Sequence, residues 1–94
     1  MTLVEFNATL AAAEPPDVSP LLLALWHDAR GAWQEAHRLA QDVDDSSGAW
    51  VHAYLHRKEG DASNAAYWYR RAGQPVAVDS LDAEWTRIAV ALLG

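Results

Sequence analysis

The chain repeats itself. Ala24-Leu-Trp-His27-Asp-Ala-Arg-Gly31-Ala-Trp-Gln-Glu-Ala36 returns 29 residues later as Ala53-Tyr-Leu-His56-Arg-Lys-Glu-Gly60-Asp-Ala-Ser-Asn-Ala65. Small residue, His, Gly and Ala keep their relative places, pairing Ala24 with Ala53, His27 with His56, Gly31 with Gly60 and Ala36 with Ala65. A period of this length belongs to stacked helical hairpins, each of which buries its apolar face on the next. It narrows the architecture sharply and leaves the chemistry open.

Punctuation along the chain divides it into helices. Residues 3–13 read as a short helix or helix-like arm, broken by Glu14-Pro15-Pro16-Asp17 because the residue before a proline is pushed out of α geometry. Ser19-Pro20 is a start signal, a cap followed by proline at the first helical position, for a helix over about 20–30 that ends at Gly31. A second helix over about 32–43 carries Ala32, Ala36, Leu39, Ala40 and Val43 on one stripe. Ser46 or Ser47 then caps a helix over about 48–59, and Asp61 caps one that runs to Ala72. Gly73-Gln74-Pro75 stops it, and Ser80 opens a final helix with the stripe Leu81, Trp85, Ile88, Ala89 and Leu92. No segment sustains the alternation of a strand. The expectation is a single all-α domain over 1–94: an N-terminal arm (1–18), two antiparallel hairpins (20–43 and 46–73) and a C-terminal capping helix (80–93).

Composition removes several function classes. A net charge of −6 lacks the positive field that nucleic acid or anionic lipid requires, so neither is expected as a partner. With no cysteine there is no disulfide, thiolate site or Cys nucleophile, and any metal must be held by His and carboxylates. The start of the chain shows no basic segment followed by an apolar one, and the apolar run from Pro20 to Trp26 is too short to span a bilayer. A cytoplasmic protein is expected. Five tryptophans in one small domain point to a face covered by a second copy, hence a homodimer.

Gly60-Asp61-Ala62-Ser63-Asn64-Ala65, continuing to Tyr69 and Ala72, resembles the second helix of a tetratricopeptide repeat. Gly31, Trp33, Ala36 and Val43 follow the same pattern more loosely, and Leu23, Ala24 and Ala53 fall where that family packs helices closely. The period is 29 rather than the family's 34, His27 and His56 stand where it has Tyr, and Ala40 replaces an aromatic. The resemblance covers about residues 20–75. It implies antiparallel helix pairs and a protein- or peptide-binding role.

The histidines are the residues whose chemistry exceeds packing. On a helix over 48–59, His52, His56 and Glu59 fall in one narrow sector, so two imidazoles four residues apart face the same way. Such a pair can hold one divalent ion, with Glu59 as third ligand or as the group orienting a His, and His27 is the repeat equivalent of His56. The alternative is that each His packs at a hairpin interface as a flat ring with a polar tip. On the helix after Asp61, Tyr67 lies on the polar side among Ser63, Asn64, Arg70 and Arg71, as an exposed stacking platform, part of an oligomer contact, or a wet ring resting on an arginine stem. Arg57, Lys58, Arg70 and Arg71 are four of the seven basic residues and form either a local patch for an acidic peptide or small anion, or a solvated face. Asp42 to Gly48 fails as a calcium loop, because its glycine is misplaced and Ala53 stands where a bidentate Glu is needed.

Two functions follow as expectations. The first is a non-enzymatic module that binds a protein or peptide in a groove between the helices over 20–30 and 48–59, with Trp26, His27, His52, Tyr54 and His56 as contacts. The second is a metal- or small-ligand-binding protein, with catalysis open to it, built on His27, His52, His56 and Glu59. No resident organic cofactor is expected; a divalent metal is the one group these side chains suit.

Overall fold

The computed structural model covers residues 1–94, which form six α-helices and no strand. They are α1 (Leu3–Ala8, extended by a 3-10 turn at Thr9–Ala11), α2 (Pro20–Ala29), α3 (Trp33–Gln41), α4 (Ser46–Lys58), α5 (Ala62–Ala72) and α6 (Leu81–Leu93). α2 packs on α3 and α4 on α5 as hairpins, α3 packs against α4, and α6 lies across α2 and α4. The expected all-α arrangement of hairpins with a C-terminal helix is the arrangement observed. No helix is long and apolar enough to cross a membrane.

The starts follow the caps. Ser19, Asp61 and Ser80 accept hydrogen bonds from the backbone N–H groups of Leu22, Asn64 and Ala83, offsetting part of the deficit at each helix start. The cap of α4 differs from expectation. Asp45, not Ser46 or Ser47, accepts from Gly48 N at 2.8 Å, so the helix begins earlier and both serines lie in its first turn. A carboxylate there also meets the positive end of the helix dipole. Gly48 is required at this point: a Cβ would sit 1.9 Å from the Val43 carbonyl oxygen.

What the 29-residue repeat encodes is a helix termination. Gly31 and Gly60 take φ of +82° and +90°, which lets the chain turn back after α2 and α4. Ala32 N then donates to His27 O and Asp61 N to His56 O, both at 2.9 Å, closing the same Schellman motif twice. His27 and His56 are therefore equivalent through their carbonyls. Their side chains go to different surroundings.

The N-terminal segment is part of the core rather than an appended arm. Phe6 is fully buried with its ring 5.8 Å from that of Trp85, and Trp26 Nε1 donates to Thr9 O at 3.0 Å. Arg30 holds the end of the segment through the Leu10 and Ala12 carbonyls. Around these, Leu21, Leu25, Val51, Leu55 and Ile88 form the main core. Trp26 and Trp85 are buried and Trp33, Trp50 and Trp68 are half-buried within the one chain.

Two carboxylates lie inside. Glu84 of α6 is 0% exposed and receives Arg57 Nη1 at 2.9 Å, the Tyr69 hydroxyl at 2.7 Å and Trp50 Nε1 at 3.2 Å. Asp28 of α2 is 2% exposed and receives the Tyr54 hydroxyl at 2.9 Å and Lys58 Nζ at 3.0 Å. Buried carboxylates persist only when paired and hydrogen-bonded in this way. Burial, reinforced by these partners, pushes the Tyr54 and Tyr69 hydroxyls far above the usual phenol range, so both remain neutral donors. The pairs fix α4 against α2, α5 and α6, and α4 is the helix that carries the site.

Candidate metal centre

His52 and His56 lie one turn apart on α4, their rings 4.7 Å apart and within 26° of parallel. The third histidine of the group is His37, from α3. Its Nε2 is 2.9 Å from His52 Nε2, and its ring centroid lies 5.2 Å from that of His56. One nitrogen from each of the three rings lies within 4.8 Å of the others. Ligand nitrogens on a tetrahedral zinc ion with Zn–N near 2.0–2.1 Å are about 3.3–3.4 Å apart. Closing on an ion therefore asks for sub-ångström to ångström adjustments of side chains on two packed helices.

Aromatic rings hold the imidazoles in place. Trp33 stacks on His37 with centroids 5.0 Å apart, and its Nε1 donates to Leu55 O at 2.9 Å, tying the start of α3 to α4. Trp68 of α5 stacks on His52 at 4.0 Å. Trp68 thus covers a histidine of its own hairpin. Glu59 Oε2 sits 2.6 Å from His56 Nδ1, so the carboxylate accepts the Nδ1 proton and leaves Nε2 as the free ligand atom. Of the two roles expected of Glu59, third ligand or group orienting a His, this contact is compatible with the second.

Burial keeps two of the three rings uncharged. Burial, with the neighbouring His37 and His56 adding to it, pulls His52 down from 6.5 to about 4. His37 is lowered too, by burial first and then by His56. Both are neutral imidazoles near pH 7, with lone pairs available and no positive charge to displace.

The remaining expected residues divide. His27 does not join His52 and His56; it sits edge-on to Trp26 at 5.0 Å, at the end of α2. The reason is topological: the helix that packs beside α4 next to His52 is α3, the second helix of the first hairpin, so His37 arrives where repeat symmetry had placed His27. Trp26 is 3% exposed and hydrogen-bonded internally, so it lines no open groove. Tyr54 is 2% exposed and bonded to Asp28, and with Asp28, Ala29 and Lys58 it borders an open cavity of about 430 Å³ that α1 and α6 also line. Tyr67 is 43% exposed, with the Arg70 and Arg71 guanidinium carbons 6.0 and 5.9 Å from its ring centre and Arg71 Nη1 donating to its hydroxyl at 3.1 Å. Arg57 and Lys58 do not extend this patch, because they are the partners of Glu84 and Asp28.

Sequence reasoning missed His37, Asp28 and Glu84. For His37 a signal existed: it follows Trp33 by four residues and adjoins the buried Ala36 and Ala40, so it borders the face turned toward the next helix. No protein-family model, curated protein or solved structure matches the chain.

Proposed function

We propose that this protein binds a divalent transition metal, of which zinc is the reference case, through His37, His52 and His56. The observation that carries the reading is the convergence of three imidazole nitrogens within 4.8 Å, two of them on rings held neutral by burial. Neutral imidazole suits zinc, copper, nickel and ferrous ions, whereas magnesium and calcium prefer oxygen. The Glu59–His56 contact adds the carboxylate–histidine arrangement that fixes ring tautomer and raises ligand basicity. Binding exchanges the His37–His52 hydrogen bond for two metal–nitrogen bonds, with both rings taking the tautomer protonated at Nδ1.

Native mass spectrometry of the purified protein with and without chelator, followed by zinc titration, tests this. One equivalent of zinc should be retained or taken up, with uptake lost in His37→Ala and His52→Ala and kept in His27→Ala. An apo mass throughout, with no uptake on titration, removes the reading.

The exposed face of α5 supports a second reading, a contact for a protein or peptide partner. Tyr67 is a large exposed ring flanked by two guanidinium groups, a combination enriched at interface centres, and the resemblance to a tetratricopeptide repeat points the same way. Comparing the wild type with Tyr67→Ala in a crosslinking and sedimentation experiment separates a contact, whether to a second copy or to another protein, from a solvated side chain.

A further inference from the structure

The histidine group supplies three ligands and stops there. No fourth His, Asp or Glu donor lies within 4.8 Å of all three; Glu59 groups with His56 and Asp61 on the other side of the His56 ring. Zinc held for structural purposes is closed by four protein ligands, whereas three protein nitrogens leave a tetrahedral position to solvent. The site also has an outlet. No buried side-chain nitrogen or oxygen lacks a hydrogen-bond partner, so His56 Nε2, which has no protein partner, reaches solvent. Trp33 and Trp68 flank the imidazoles, stacked on His37 and His52, and restrict the approach to something small.

From these three observations we infer that the bound metal keeps an exchangeable fourth position, occupied by water and open to small monodentate anions. The inference rests on the metal-binding reading above and extends it from a structural ion to an accessible one. The ligand class follows from charge: a divalent ion on three neutral imidazoles carries its full positive charge, which a small anion offsets better than water does. Glu59 is the competing candidate for the position. Its contact with His56 Nδ1 assigns it to orienting the ring instead.

Cobalt(II) in place of zinc makes the position visible, since its absorption bands report coordination number and ligand exchange. Wild-type protein should develop visible bands on adding one equivalent of cobalt, and azide should shift them saturably. Glu59→Gln, which retains an acceptor for His56 Nδ1 but loses the charge, should bind cobalt more weakly and, once loaded, still shift its bands with azide. Bands that form but do not respond to azide overturn the open position while leaving metal binding intact. A response confined to Glu59→Gln overturns it differently, by showing that Glu59 is the fourth ligand. Failure of cobalt to bind at all removes the underlying reading along with it.

Discussion

Glu84 gives the sharpest test of how the site is held in place. It is 0% exposed and binds donors from two helices at once: Arg57 and Trp50 on α4 and Tyr69 on α5. Glu84→Leu keeps a side chain of similar bulk but strands all three donors. Removing one member of a buried ion pair costs about 3–5 kcal/mol, because the remaining charge has lost its partner. Arg57 retains part of its environment, since it also donates to the Asp79 carbonyl and lies 4.0 Å from the Asp79 carboxylate. The lower end of the range, about 3 kcal/mol, is therefore expected. Total stability for a chain of this length is roughly 5–14 kcal/mol, so the variant should fold but unfold early in urea. Tyr69→Phe removes one donor and should cost about 1–2 kcal/mol, and the double variant should fall short of the sum by about 1 kcal/mol. Glu84→Gln, which still accepts from Tyr69, should cost less than Glu84→Leu. Urea unfolding followed by tryptophan fluorescence reads all four. A loss below about 1 kcal/mol for Glu84→Leu, with strictly additive effects in the double variant, would refute the network as the clamp on α4.

Zinc at a free concentration one hundred times its dissociation constant should add about 2.7 kcal/mol of stability, a melting shift of roughly 10–20 °C for a domain this small. Circular dichroism melts of wild type, His37→Ala and His27→Ala check this; an equal shift in all three contradicts the assignment of ligands. The metal-free protein should lose stability as pH falls. His52 and His37 have folded-state pKa values below the unfolded 6.5, so the unfolded chain binds more protons. Their contribution is complete above pH 6.5 and declines as pH drops toward 4, by at most about 3 kcal/mol for His52. His52→Asn should flatten urea midpoints measured across that window, and an unchanged slope counts against the burial argument. Gly60→Ala should cost about 1–2 kcal/mol from backbone strain alone, because φ is +90° and a methyl group meets nothing within 4 Å. Unchanged urea midpoints would contradict that account.

The helices were legible because their signals are local. Ser19-Pro20, Asp61 and Ser80 act within one turn of themselves, and the stripe Leu81, Trp85, Ile88, Ala89, Leu92 needs only the α-helical period to declare its buried face. The cap of α4 was misread because Asp45 and two serines are all competent, and packing of the preceding loop on Gly48 selects among them. The site was legible by half. His52, His56 and Glu59 lie within eight positions on one helix, so spacing alone puts them on one face.

The sequence by itself determined where most of the helices begin and end, that they pair as hairpins, and that two imidazoles and a carboxylate share one face at the end of α4. Short-range hydrogen bonding and periodicity suffice for that. Which third histidine joins them depends on which helix lies beside α4, and repeat symmetry pointed to His27. The tertiary fold places α3 there and brings His37 within hydrogen-bonding distance of His52. It also turned the repeated His–Gly positions into two equivalent chain reversals and left their side chains in unlike surroundings. A backbone motif recurs wherever the local sequence recurs; a side-chain cluster forms only where packing brings different segments together.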